Sequence, residues 1–359
     1  MYGDPGDKRK SASGAEMPRL RFAIAGTGFW SRFQLAAWRE LQGAECVALY
    51  NRTRGKAEVL AREFGIPAVY DDAGEMLRRE KLDFFDVITD VSTHSHFVHL
   101  AAERGLPVIC QKPMAKSLDE ARRMLQACLQ AGIPLYIHEN WRWQAPIRQL
   151  KAELTAGCIG ALFRARIQYC TSFPVFDNQP FLKEIEQFIL TDMGSHILDV
   201  ARFLFGEAEK LYCRTHRIHE GIRGEDVATV IMTMTNGTTV ACDLSYASRT
   251  EHERFPETYI FVEGTRGSLE LGPDYWIRVT TAEGTRAKRY PPPRYTWADR
   301  AYDLVHASIV PCNANLLKAL RGEGEAETTG EDNLRTVQLV FASYESARTG
   351  QVVEIGPAL

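Results

Sequence analysis

The stretch Leu20-Arg21-Phe22-Ala23-Ile24-Ala25-Gly26-Thr27-Gly28-Phe29-Trp30-Ser31 decides the fold. An apolar run suited to a buried strand enters two glycines one residue apart, and a helical pattern follows over 30–41. Glycines there let the chain turn tightly and approach a pyrophosphate, whose charge the open N–H groups of the helix start attract. Ser31 stands where a third glycine is usual and is small enough for the helix to pack on the strand. A lone Gly-x-Gly is also an ordinary strand-to-helix turn, so its neighbours must decide.

The neighbours extend the pattern. Strands are expected at 44–50, 84–89, 107–110 and 135–138, and helices at 54–64, 97–104 and 118–130. Such alternation is what a parallel, doubly wound sheet requires, because each crossover must return over one face. Beyond residue 140 the strand-like segments 162–173, 210–216, 227–235, 238–247, 258–263 and 268–271 follow one another, with a two-residue hairpin turn expected at Asn236-Gly237. Helices are expected at 181–205, 302–320 and 332–347. The expectation is an α/β dinucleotide-binding domain over 18–140 and an α+β domain with a largely antiparallel or mixed open sheet over 141–359.

The 359 residues suit two domains, and 46 acidic against 43 basic side chains give no charge-based case for nucleic acid or an anionic membrane as partner. No apolar run approaches the length that crosses a bilayer, and residues 1–17 read as a disordered tail without the apolar centre of an export signal. Eight cysteines without regular spacing read as buried, reduced thiols. Together these point to a cytoplasmic protein. The histidines His94, His96 and His99 lack an acidic or cysteine partner at ligand spacing, so no metal is expected.

At the end of the second strand, where a domain selective for NAD usually presents an acid, stand Asn51 and Arg52. An amide does not repel a 2′-phosphate and a guanidinium can pair with one or stack on adenine, so these two residues alone lean slightly to NADP. Arg52 reads equally well as a solvated helix-start residue.

Three ordered motifs carry a resemblance: the glycine turn, Gln111-Lys112-Pro113, and Asp192-Met193-Gly194-Ser195-His196. With them the chain from Leu20 onward resembles the Gfo/Idh/MocA oxidoreductases, the family of glucose-fructose oxidoreductase and inositol dehydrogenase. The family's T-P-x-x-x-H reads Thr89 to His94 with Asp90 in place of proline, and its E-K-P has Gln111 in place of glutamate. The resemblance implies a Rossmann domain with NAD contacts at Gly26, Thr27, Gly28, Phe29 and Trp30, at Asn51 and Arg52, and at Asp90, His94, Gln111 and Lys112. Within the family, Gln-Lys-Pro, the segment 138–143 and the segment 173–178 resemble most the D-apiose dehydrogenase branch, whose sugar enzymes use NAD.

Oxidising a sugar hydroxyl needs a proton acceptor as hydride leaves. His196 is the choice, since a neutral imidazole accepts protons near neutral pH. Asp192, one helical turn earlier, is expected to orient that ring or hold a substrate hydroxyl. Lys112 is expected to steady the developing alkoxide, with a lysine base as the variant. Asn140 and Arg142, beside Trp141 and Trp143, and Phe173, Asp177 and Asn178 are the further sugar-binding candidates. The expected activity is NAD(P)-dependent dehydrogenation of an aldose, D-apiose giving the lactone being one case. Alternatives are an NADPH-dependent keto-sugar reductase and a non-catalytic dinucleotide-binding regulator. The family pairs such open sheets, so a homodimer or homotetramer is expected.

Overall fold

The computed structural model describes residues 18–358, and the expected tail at 1–17 lies outside them. The N-terminal strands are β1 (Leu20–Ala25), β2 (Ala44–Tyr50), β3 (Ala68–Tyr70), β4 (Phe84–Val87), β5 (Val108–Gln111) and β6 (Leu135–His138). They alternate with helices α1 (Phe29–Glu40), α2 (Arg54–Phe64), α3 (Ala73–Arg79), α4 (Val91–Ala102) and α5 (Leu118–Ala131). All six strands are parallel, in the order β3-β2-β1-β4-β5-β6. The order reverses between β1 and β4, which opens a crevice at their carboxyl ends. All four residues of β4 are buried, as a sheet covered by helices on both faces demands. The short β3 and α3 carry too brief an apolar pattern to announce themselves.

The second half opens with α6 (Ala145–Thr155) and the long strand β7 (Leu162–Cys170), followed by the short α7 (Val175–Asn178) and by α8 (Ser195–Phe205). Then come β8 (Ala208–His216), β9 (Val227–Met234), β10 (Thr239–Ser245), β11 (Tyr259–Gly264), β12 (Gly267–Gly272), β13 (Trp276–Thr281) and β14 (Gly284–Arg289). Helices α9 (Asp303–Leu320) and α10 (Gly330–Thr349) and the two-residue β15 (Val353–Glu354) close the chain. The nine strands form one mixed sheet, antiparallel except where β7 runs parallel to β10. This is the α/β plus mixed-sheet architecture the sequence implies. β13 and β14 escape the sequence reading because the hairpin is polar; all of β14 is exposed, and its basic side chains protect the sheet edge from further pairing.

Two expectations are corrected. The turn between β9 and β10 is longer than two residues: Gly237 N donates to Met234 O at 2.8 Å, and Gly237 alone takes a positive φ, of 83°. The expected helix 181–205 is interrupted. A 3₁₀ turn (Pro180–Glu184) gives way to irregular chain, because the Glu225 carboxylate accepts from Phe188 N and Leu190 N at 3.3 and 3.2 Å and so starts a new helix there. That helix begins with a π turn, Leu190–Gly194, before α8.

The cores do not respect the order of the chain. Cys312, Leu316 and Leu317 of α9 pack with Phe22, Ile24 and Trp38, and Leu334 and Val337 of α10 pack with Val87 and Cys110. The inner face of the nine-stranded sheet is buried under α8 and α10. On its other face Phe261, Arg166, Ala241 and Ile231 stand in one cross-strand row, with Phe261 and Ile231 exposed.

Candidate active site

At the crevice, Gly26 has φ 98°, and a Cβ on it would lie 2.2 Å from Ile88 O, so only glycine fits. Gly28 faces open space where its Cβ would be. The start of α1 has no side-chain cap and no acid in its first turn, leaving its N–H groups available to an anion. Ser31 is buried and closes the turn by donating to Gly28 O at 2.7 Å. These features fit a dinucleotide pyrophosphate over Gly26 to Trp30. Asn51 donates to Thr27 Oγ1 at 2.7 Å and accepts from Thr53 N at 2.8 Å, so its amide shapes the turn; Arg52 is exposed.

Three expected cofactor contacts are otherwise engaged. Asp90 caps α4, accepting from Ser92 N at 2.9 Å. His94 is 1% exposed, with Nδ1 3.1 Å from Pro113 O and Nε2 3.1 Å from Thr89 O. Burial holds its pKa below the usual imidazole range. The ring clamps the Lys112-Pro113 turn onto the end of β4 rather than facing the crevice. Gln111 turns into the interior, where its amide nitrogen lies 2.5 Å from Gln34 Oε1 and 3.2 Å from His138 Nδ1. Gln34 in turn donates to the fully buried Asp86, joined there by Trp38 Nε1 at 2.9 Å, and His138 Nε2 lies 2.9 Å from Asn313 Oδ1. The network explains the amide at this position: it needs a donor toward Gln34 and His138, which a glutamate carboxylate lacks.

Lys112, at the mouth of β5, reaches across the domain boundary. Its Nζ lies 3.1 Å from Asp192 Oδ1 and 3.3 Å from Asp192 O, and both side chains are only partly exposed. The same carbonyl, within the π turn, also accepts from Ser195 Oγ at 2.9 Å. Tyr246, following β10, has its hydroxyl 3.5 Å from Asp192 Oδ2. Asp192 therefore pairs with the lysine, and the expectation that it orients His196 is corrected.

His196 is oriented by Glu139 instead. Nδ1 lies 2.6 Å from Glu139 Oε1, both side chains are buried, and the ring stacks on Trp141 with centroids 4.4 Å apart. Nε2 forms no hydrogen bond among the described residues and is not sealed from solvent. Burial, with the nearby Lys112 charge, pushes the imidazole well below its ordinary pKa. Burial raises the Glu139 carboxyl. Glu139 was missed in the sequence; an acid directly after a buried strand, between two histidine-bearing and tryptophan-bearing positions, is the one signal it offers.

The other sugar-binding candidates separate. Arg142 forms a bidentate pair with Asp199 at 2.6 and 2.8 Å and a further bond to Asp332 at 2.9 Å, and Asn140 donates to Ser308 Oγ and Val305 O. Both are buried ties between elements and are withdrawn as sugar ligands. Phe173 stacks on Phe255 at 3.8 Å and meets Tyr302, which in turn meets Phe29. This aromatic row links the mixed-sheet domain to the glycine turn. Glu253 holds the row's base, accepting from Thr171 Oγ1, Ser172 Oγ and Phe255 N. Asp177 is exposed on α7, and the side chain of Asn178 lies outside the described residues.

The geometry is matched by relationship. Residues 20–138 fit the family model described as an oxidoreductase family with an NAD-binding Rossmann fold, and residues 147–270 fit the GFO/IDH/MocA C-terminal domain. The chain belongs to the GFO/IDH/MocA oxidoreductases. It is 43% identical to the D-apiose dehydrogenase of Paraburkholderia graminis over 96% of this chain and 92% of that one. It is 40% identical to the D-apiose dehydrogenase of Rhizobium rhizogenes over 96% and 99%. The solved structure of an oxidoreductase from Agrobacterium radiobacter, in complex with NAD+, L-tartaric acid and magnesium, superposes with a TM-score of 0.93 at 40% identity, covering 95% and 100% of the two chains. The chain is thus an oxidoreductase with an NAD-binding fold, and among the described residues no helix is long and apolar enough to cross a membrane.

Proposed function

We propose that this oxidoreductase is an NAD-dependent dehydrogenase of a small uncharged aldose, with D-apiose the first candidate and the lactone its product. The reading rests on one convergence: Lys112 from the Rossmann side and Asp192 and His196 from the mixed-sheet side meet where the crevice opens. Arg142, the cation a carboxylated substrate would have used, is held by Asp199 and Asp332, and Lys112 is already paired with Asp192, which favours a neutral sugar. The relatives named D-apiose dehydrogenase narrow the sugar, and the NAD+-bound structure at 40% identity supports NAD over NADP.

When bound, the nicotinamide supplies the hydride acceptor. The chain's own residues handle the proton and the charge. His196 Nε2 takes the hydroxyl proton as the C–H bond breaks and the carbonyl forms. The Lys112 ammonium lowers the cost of negative charge developing on the same oxygen. Asp192, fixed by Lys112 and Tyr246, accepts a neighbouring sugar hydroxyl. The Phe173–Phe255 pair offers an apolar face to the ring's C–H side.

A screen of D-apiose, other aldoses and inositols with both dinucleotides, followed by nicotinamide absorbance, tests the assignment. D-apiose with NAD should give the highest kcat/KM. Dinucleotide binding without turnover of any sugar would replace the reading with a regulator, and activity confined to keto-sugars with NADPH would replace it with a reductase. We further propose that the open sheet face pairs two copies; light scattering of Ile231→Lys should show a smaller particle than the parent chain.

A further inference from the structure

We infer that Glu139 is the positioning residue that holds His196 in the Nδ1–H tautomer, with Nε2 free, and that makes this imidazole rather than Lys112 the proton acceptor. The inference rests on the dehydrogenase reading and deepens it.

The hydrogen bonds set the direction of the pair. Trp141 N, which can only donate, lies 3.0 Å from Glu139 Oε1, so that oxygen is an acceptor. The same oxygen stands 2.6 Å from His196 Nδ1 and accepts there as well. With Glu139 as the carboxylate the proton sits on Nδ1, and the lone pair of Nε2 is left without a partner among the described residues. Trp141 fixes the plane of the ring by stacking and, through its own backbone N–H, fixes the carboxylate oxygen that the ring addresses. One residue thus holds both partners in register.

Glu139 Oε2 is buried and has no partner. A carboxylate so poorly solvated is held mainly by the Trp141 and His196 N–H groups, and it favours the arrival of a second positive proton on the ring. Substrate proton transfer supplies that proton: the C–H electron pair leaves as hydride, the O–H proton passes to Nε2, and an imidazolium–carboxylate pair results. Charged and titratable groups facing this pair are Lys112 and Asp192, Asp199 of α8, the neighbouring Arg142 and the His138 imidazole of β6, whose pKa burial lowers to about 4. Asp192 and Lys112 are already paired with each other, so neither serves as the ring's orienting partner. The lysine carries no such arrangement for giving up its proton.

The test is Glu139→Gln and Glu139→Asp in the full-length protein, with the sugar that gives best turnover. For Glu139→Gln, kcat should fall by about 10²-fold or more, because the amide can donate to Nδ1 and select the wrong tautomer. KM and the NAD dissociation constant should stay within about threefold. The acid limb of kcat/KM against pH should move to lower pH, since the ring loses the carboxylate that steadies its charged form. Glu139→Asp keeps the charge at greater distance and should recover part of kcat, with a smaller shift of the same sign. A merely structural glutamate would lower the melting temperature but leave the acid limb where it was. An unmoved acid limb with near-parental kcat in Glu139→Gln overturns the inference; if that variant does not fold, the acid limb of Glu139→Asp decides by the same criterion. Loss of turnover in His196→Ala alongside an unmoved limb in the glutamate variants would leave the dehydrogenase reading standing and remove only this inference.

Discussion

His138 and Glu139 are consecutive, yet they belong to two buried polar networks of opposite character. His138 joins a chain running from Asp86 through Gln34 and Gln111 to Asn313, closed within the interior. Glu139 joins a chain that ends in the open, with His196 Nε2 and the Lys112–Asp192 pair facing the crevice. The difference lies at the ends. The closed network pairs its groups with one another apart from the buried Asn313 amide nitrogen and contributes a unique packing arrangement, whereas the open one leaves a lone pair and an ammonium to be completed by a ligand. Burial alone does not distinguish them, since His138 and His196 are both almost fully buried and both have depressed pKa values, His138 reaching about 4.

Breaking the open network should cost chemistry without stability. His196→Ala is expected to lower kcat by about 10²–10⁴-fold while dinucleotide binding, read by fluorescence titration, stays nearly unchanged. Weakened NAD binding with intact turnover would remove His196 from the proton-transfer role. Breaking the closed network should do the reverse. Gln111→Glu sets a carboxylate against Gln34 Oε1 and removes the donor toward His138, and should reduce the unfolding free energy by about 1–3 kcal/mol in urea titrations. Its kcat should fall far less than that of His196→Ala.

The closed network also carries a pH signature. Burial, opposed by hydrogen bonds from Trp38 and Gln34, raises Asp86 from 3.8 to about 7. Between those values the folded chain keeps a proton that the unfolded chain releases, so this group's contribution to stability declines as pH rises through that window. Asp86→Asn should flatten that part of the stability profile in chemical denaturation at several pH values; an unchanged slope would mean Asp86 is ionised throughout. The smallest effect is expected at the far end of the crevice. Asn51→Asp should shift preference toward NAD several-fold by repelling a 2′-phosphate, measured as the ratio of kcat/KM for the two dinucleotides. An unchanged ratio would place this side chain away from the ribose.

The parallel half was legible because β1, the glycine turn and α1 are adjacent in the chain and announce themselves by pattern. Lys112, Asp192 and His196 were legible as motifs, and the structure brings Lys112 to Asp192 and leaves His196 Nε2 free at the same crevice. What could not be read is which partner each polar residue meets across the fold. Arg142 finds Asp199 and Asp332 at separations of 57 and 190 residues, and Glu139 finds His196 at a separation of 57. Side-chain periodicity stops where a strand ends, so the residues just after β6 carried no sign of which way they would turn. Gln111 shows the same limit, reading as a departure from a motif until the donor requirement of its interior neighbours is seen.

Helix α9 supplies Cys312, Leu316 and Leu317 to the packing around β1, and Asn313 to the chain that begins at Asp86. A fragment severed after the sixth parallel strand would therefore expose a greasy scar on one flank and lose a polar plug. Anyone grafting this nucleotide-binding half onto a foreign partner must transplant a piece of the distant C-terminal sequence with it, because the module as inherited is stitched from two stretches of polypeptide.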